Sequence, residues 1–238
     1  ELRSGIKKTF ETGNGMDRVE MAYQTSAGGK AAKKHYLFST SLLKGSENRR
    51  VLLSIEDVSA IKAASEEAAR NSEIQRRTLA VMQKNCAGVK EYLDAALEEA
   101  IALTGSKIGY IYHYSEQKRE FTLNTWSNQV MRECAVVNPQ TVYSLDKTGI
   151  WGEAVRQRRP IIVNDFEAQN PLKKGYPQGH VRLQKFMTVP VVIDGQIVAV
   201  AGVANKPSDY DEKDVLELSI LMNSIWKTVE QIKYRDAL

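Results

Sequence analysis

Nucleophilic and metal-ligating side chains are scarce: the chain has two cysteines and three histidines among 238 residues. Cys86 and Cys134 cannot build a disulfide framework, so a reducing cytoplasm is the expected setting. His35, His113 and His180 lie far apart, and none belongs to a CxxC, HxH or HExxH arrangement, which argues against a zinc site. There is no glycine-rich phosphate loop. Gly149 and Gly152 frame Trp151 in a pattern unlike a nucleotide fingerprint. An enzyme needs a constellation of such groups, so no catalytic or metal-binding residue is expected. Long apolar runs are missing too: none approaches the roughly 20 residues that span a bilayer. The opening ELRSGIKKTFETG has no apolar signal core, so neither export nor a membrane segment is expected. Basic charge is not concentrated. Residues 1–85 hold 15 Lys and Arg against 10 Asp and Glu, and the remainder holds 18 against 19. Without a basic stripe interleaved with aromatics, nucleic acid is not an expected partner.

The patterns that are present divide the chain in three. Leu2, Ile6 and Phe10 recur at helical spacing and Gly13 stops them, so residues 2–13 are predicted to be a short helix. Three strand-like runs follow, Arg18 to Thr25, His35 to Leu43 and Arg50 to Ile55, punctuated by Gly28-Gly29 and Gly45-Ser46. They form an antiparallel meander too small to bury both faces. Val19, Met21, Tyr23, Tyr36, Phe38, Leu52 and Ser54 are expected on one exposed face. A helix rich in Ala, Glu, Gln and Arg is predicted over 59–85, with Ser59 as its N-cap. Its apolar positions are ragged, so a weak coiled coil and a solvated connector both fit.

Residues 86–238 read as helix from Ala87 to Gly105, strands Ile108 to Tyr114 and Phe121 to Trp126, and an irregular 127–146. A short helix from Thr148 to Gln157, a strand over 160–163 and a long loop over 164–184 come next. Two apolar runs, Phe186 to Ile193 and Gln196 to Ala204, flank Asp194-Gly195, the signature of a two-residue type I′ hairpin. An amphipathic helix from Asp211 to about Tyr234 closes the chain. The order implies an antiparallel sheet with helices on one face and an α+β fold class.

The runs IGYIYHY, LNTWS, TGIWGEAVRQRRPIIVND, FMTVPVVIDGQIVAVAGVANK and DYDEKDVLELSILMNSIW resemble the GAF domain family across 86–238, in its bacterial signalling subgroup. Residues 1–58 resemble the C-terminal half of a PAS domain, in which Glu56-Asp57-Val58-Ser59 stands at the usual handover to a signalling helix. The implied organisation is a PAS-like half domain over 1–58, a linker helix over 59–85 and a GAF-like domain over 86–238. The implied parent is a longer sensor kinase, cyclic-dinucleotide enzyme or chemotaxis-type transducer, with its output domain elsewhere in the same polypeptide.

By the GAF resemblance, a pocket between the sheet and the middle loops is implied for Tyr110, Tyr112, Asn124, Trp126, Trp151, Asp165, Phe166, Tyr176, His180, Phe186 and Thr188, with Lys173 and Lys174 nearby. Aromatic walls with few polar groups suit a small molecule, but the same aromatics can simply fill a core. The ligand is unknown. Gly179 rather than cysteine precedes His180, which disfavours covalent bilin attachment. Asn205-Lys206 before Asp211-Glu212 faintly resembles a cyclic-nucleotide motif, and a helix cap explains it equally. Cys134 follows Arg132, which is compatible with a redox-active thiol or with a small buried hydrophobe. The expected function is sensory input with signal relay, against a ligand-free dimerisation and relay module. A homodimer is expected whose contacts include the 59–85 helix through Ile61, Ala68, Ile74 and Val81; Leu218, Met222, Ile225 and Val229 on the closing helix offer further apolar positions, some of which must pack the sheet.

Overall fold

The computed structural model describes residues 1–27, 30–43, 49–127, 141–174 and 181–236. The chain divides into two compact units, Glu1–Ser72 and Glu73–Leu238.

In the first unit, α1 (Leu2–Thr12) precedes β1 (Val19–Ala27), β2 (Lys30–Leu43) and β3 (Arg50–Asp57), and α2 (Ser59–Met82) begins directly after β3. The strands form an antiparallel sheet in the order β1-β2-β3. α1 is fastened by a buried hydroxyl pair, Thr9 Oγ1 to Thr40 Oγ1 at 2.7 Å. Alternation along a strand assigns the faces. Val19 lies opposite Phe38 and Phe38 opposite Ile55, which puts these three on one side, with Met21 and Tyr36. Leu52 and Ser54 pair with Ser41 and Ser39, so they lie on the other side, contrary to the expected face. A shift of one residue moves a whole strand's side chains across the sheet, and that register is invisible in the pattern of β3 alone. Phe38 is buried among the rings of Tyr23 and Tyr36, with centroids 6.0 and 6.2 Å away, whereas Val19, Tyr23 and Ile55 stay exposed.

The second unit takes the C-terminal part of α2, then α3 (Val89–Thr104), β4 (Ile108–Ser115), β5 (Glu120–Trp126) and β6 (Val142–Ser144). Next come two 3-10 turns, α4 (Glu153–Arg156), β7 (Ile161–Val163), β8 (Phe186–Ile193), β9 (Gln196–Ala204) and α5 (Glu212–Asp236). Six strands form one antiparallel sheet in the order β6-β5-β4-β9-β8-β7. Asp194 and Gly195 both have positive φ, 49° and 78°, as a type I′ turn requires. α3 and α5 cover one face through Leu93, Leu97, Leu218, Met222, Trp226 and Val229, against Ile111, Val189, Ala201 and Val203.

Two expectations about helices are corrected. Ile74 and Val81 are 2% and 1% exposed, with Val81 in the core of the second unit, whereas Ile61 is 67% exposed. Thirteen residues turn a helix through about 220° beyond whole turns, so Ile61 and Ile74 cannot share a seam. Leu218, Met222, Ile225 and Val229 are fully buried in the same core and are not available to a partner either. The helix predicted over 148–157 is interrupted: 3-10 turns at Leu145–Lys147 and Ile150–Gly152 precede a four-residue α4. Arg156 holds this path by donating to the carbonyls of Leu145 at 2.7 Å and Thr148 at 2.6 Å, and to Glu153 Oε1 at 2.6 Å.

Candidate functional site

The face of the six-stranded sheet opposite α3 and α5 carries the candidate site. Its centre is a cross-strand row: Trp126, Tyr110, Gly202, Thr188 and Ile161 stand at successive register positions on β5, β4, β9, β8 and β7. Gly202 decides the geometry. A Cβ built there would lie 2.3 to 2.6 Å from atoms of the Tyr110 ring. The ring therefore crosses β9 where a side chain would otherwise stand, and its hydroxyl donates to Thr188 Oγ1 at 3.1 Å. Thr188 Oγ1 in turn donates to the Ala201 carbonyl at 3.3 Å.

Rings assemble around this bond. Tyr110 stacks on Phe186 at 6.4 Å and meets Tyr112 at 5.3 Å and Trp151 at 6.2 Å. Trp151 also contacts Phe121 at 4.7 Å and Tyr143 at 5.7 Å, and Phe166 meets Phe186 at 6.0 Å. Trp126 hydrogen-bonds the Tyr112 side chain. Burial pushes the Tyr110 and Tyr112 phenols well above their ordinary range, and their hydrogen bonds with Thr188 and Trp126 offset this only in part. These tyrosines are thus neutral hydrogen-bonding groups at any physiological pH. Tyr110, Trp126, Tyr143 and Trp151 remain half-buried, so the ring cluster is not wholly closed over.

Of the residues singled out in the sequence, Tyr110, Tyr112, Trp126, Trp151, Phe166, Phe186 and Thr188 are brought together on this side of the sheet. Asn124 is the extra residue of a bulge, the register passing from Ile111–Thr125 to Tyr112–Leu123, and has no place in the row. Asp165 is exposed, and its Oδ1 accepts from the N–H groups of Glu167 and Ala168 at 3.1 and 3.0 Å, which turns the loop. Tyr176, His180 and Cys134 lie outside the described residues. Lys173 Nζ donates to the carbonyls of Phe166 and Ala168 and sits over the Phe166 ring, and Lys174 Nζ donates to the Asp146 carbonyl, so both ammonium groups tie loop segments together. Asn205 and Lys206 are likewise spent on structure. Asn205 Nδ2 donates to the Arg182 carbonyl, and Lys206 pairs with Asp214 at 2.5 Å. Asp211 caps α5 by accepting from the N–H groups of Lys213 and Asp214.

Sequence reasoning missed Gly202, Tyr143 and Phe121. Gly202 was not accessible from the turn at 194–195, which alone sets Thr188 opposite Ala201; a bulge on β9 between the pairs Val192–Ile197 and Val191–Ala199 shifts the register by one and brings Gly202 to Thr188. Tyr143 sits on a three-residue edge strand whose partner, β5, no local pattern identifies. Among the described residues, no group of three or more His, Cys, Asp or Glu could hold a metal ion, and no helix is long and apolar enough to cross a membrane.

A family profile described as the GAF domain matches residues 86–230. The chain is 47% identical over 152 residues to the methyl sulfide methyltransferase-associated sensor of Methanosarcina acetivorans, a match covering 64% of this chain and 15% of that protein. The fold is similar to that of the GAF domain of a phosphoenolpyruvate-protein phosphotransferase from Coxiella burnetii, with a TM-score of 0.58 and 12% identity over 71% of this chain and 97% of that one. Free methionine-R-sulfoxide reductase from Neisseria meningitidis shares it as well, with a TM-score of 0.54 and 17% identity over 73% and 94% of the two chains. The helix-backed six-stranded sheet and the matching profile lead to one conclusion: through residues 86–230, this chain belongs to the GAF domain family.

Proposed function

We propose that this chain is a sensory input and relay segment of a longer cytoplasmic signalling protein, and that its GAF domain binds a small, largely apolar ligand. The observation that carries the reading is the half-buried ring cluster centred on the Tyr110–Thr188 hydrogen bond, on the sheet face that α3 and α5 leave uncovered. Apolar walls with one or two placed hydroxyls are the make-up of small-molecule sites. The 47% identity to part of a protein named as a sensor supports the sensory role, and its 15% coverage of that protein supports a longer parent with a separate output domain. We read residues 1–58 as a PAS-like half domain, on the strength of α1, a three-stranded meander and the Asp57–Ser59 handover into α2.

Native mass spectrometry of the purified chain, before and after incubation with a small-molecule library, tests ligand binding. The expected result is a retained or captured mass that Thr188→Val weakens. A bare polypeptide mass throughout would sink the reading.

A ligand-free relay module is the second reading, and one observation favours it: the rings already contact one another and the Tyr110 hydroxyl is satisfied within the chain. In either case we propose a homodimer, with α2 contributing exposed positions such as Ile61, Ala64 and Ala68 in place of Ile74 and Val81. Sedimentation of the Ile61→Lys, Ala68→Lys double variant should show dissociation. An intact dimer would place the interface elsewhere.

A further inference from the structure

β3 stands at one end of its sheet, with β2 on one side and, among the described residues, no strand on the other. Strands in that position are ordinarily blunted by a lysine, a proline or a bulge, which discourages pairing with another chain. β3 has none of these. It reads Arg50-Val51-Leu52-Leu53-Ser54-Ile55-Glu56-Asp57, with no charge between Arg50 and Glu56, and its register with β2 runs without a shift. Alternation points Leu52 and Ile55 to opposite faces, yet they are 53% and 55% exposed. The other edge strand, β1, differs, because its Glu20 is ion-paired with Lys62 of α2 at 3.0 Å. β3 thus offers a bare, flat edge with apolar side chains on both faces.

We propose that β3 pairs antiparallel with β3 of a second copy of this chain, joining the two small sheets edge to edge. A two-fold axis perpendicular to the sheet keeps each face continuous, so residues paired across it must belong to the same face. An axis at Leu53 sets Leu53 against Leu53 and Val51 against Ile55 on the face that carries Phe38. On the other face it sets Leu52 against Ser54 and Arg50 against Glu56. Within one copy, Val19 lies opposite Phe38, Phe38 opposite Ile55, and Leu42 opposite Val51. The apolar row from Val19 through Phe38 to Ile55 therefore runs on into Val51 and Leu42 of the second copy. Each end of the pairing carries one Arg50–Glu56 pair, and opposite charges directly across two strands attract. Glu56 is available for it: its contact with Arg18 is 3.9 Å long, and both side chains are more than half exposed. Neighbouring registers lose the match. An axis at Leu52 sets Ile55 against Arg49, and an axis at Ser54 sets Leu52 against Glu56 and Val51 against Asp57. The contact uses the first unit alone and is separate from the exposed positions of α2.

Amide hydrogen exchange of the whole chain at about 5 μM and about 500 μM reads the contact locally, across the range in which a small interface assembles. At the higher concentration, protection of the β3 amides from Val51 to Ile55 should rise about ten-fold, as for a partner present at about ten times its dissociation constant. Amides of β1 serve as the unchanged reference. Arg50→Glu sets like charges at both ends and should abolish the rise. Adding Glu56→Arg to Arg50→Glu restores opposite charges and should bring it back, which a sheet merely weakened by the substitutions does not do. No rise in the unaltered chain would leave this edge to a strand from outside residues 1–238 and overturn the proposal. An equal rise in β1, an equal rise in Arg50→Glu, or a double variant that stays unprotected overturns it as well. If a variant does not fold, the comparison of β3 with β1 in the unaltered chain decides by itself.

Discussion

A single methyl group added at position 202 would fall against the Tyr110 ring, which crosses β9 within 2.3 Å of that point. Gly202→Ala must therefore displace the ring, part Tyr110 from Thr188, or bend the strand. Overpacking of this kind costs about 1–3 kcal/mol, to be read as a lower denaturation midpoint with unchanged slope. Buried phenols make a second residue-level prediction. Burial pushes Tyr210 up to about 12 and raises Tyr110 and Tyr112 as well. In the unfolded chain these groups ionise near pH 10. The fold holds their protons more tightly, so stability is intact below about pH 10 and falls as pH climbs above it. Ultraviolet titration of the ten tyrosines should show a late group that ionises only with unfolding. A single smooth titration near pH 10, with the fold intact, would contradict this burial. The candidate site was legible in the sequence as a set of aromatics on and beside strands, because alternation along β4 and β8 puts Tyr110 with Tyr112 and Phe186 with Thr188. What stayed hidden was a missing side chain. Gly202 matters for the space it leaves, and no motif marks a space.

α2 shows how one element divides its length between roles. From Ala63 to Ala69 every residue is exposed, whereas Ile74, Thr78 and Val81 are buried. Ile74→Ala should cost about 2–5 kcal/mol by emptying a core position. Ile61→Ala should change stability by less than about 0.5 kcal/mol. Urea titrations of the two variants check this, and equal losses would refute the assignment of faces. The helix itself was plain from composition, but its buried face was not, since Ala-rich spacing leaves several stripes equally apolar. The hairpin of β8 and β9 was legible from its turn as far as the Val192–Ile197 pair, but the bulge that shifts the register beyond it was not. β6 was not, because three residues, Val142 to Ser144, gain strand character only by pairing with β5. The predicted helix over 148–157 failed for a related reason. Gly149 and Gly152 weaken helix continuity, and Arg156 captures carbonyls that a regular helix would have used internally.

At the scale of the whole molecule, the family match begins at Cys86, whereas the compact second unit begins at Glu73. The difference is the part of α2 that carries Ile74 and Val81 into burial and places Arg77 2.7 Å from Glu99 on α3. A fragment starting at Glu73 should thus be more stable than one starting at Cys86 by about 3–6 kcal/mol, from two buried aliphatic side chains at about 1.5–3 kcal/mol each. Matching denaturation midpoints for the two fragments would show that this part of α2 is dispensable. The two faces of the six-stranded sheet also have an optical consequence. Trp226, 1% exposed, lies under the helices, whereas Trp126 and Trp151 are half-buried among the rings of the opposite face. The chain thus carries two separate sets of fluorophores, one for each side of the same sheet. Trp226 should emit at short wavelength and resist acrylamide, while Trp126 and Trp151 answer to whatever enters or leaves the ring cluster. With Trp226 replaced by Phe, the remaining emission becomes a built-in reporter of the candidate site, with no label attached.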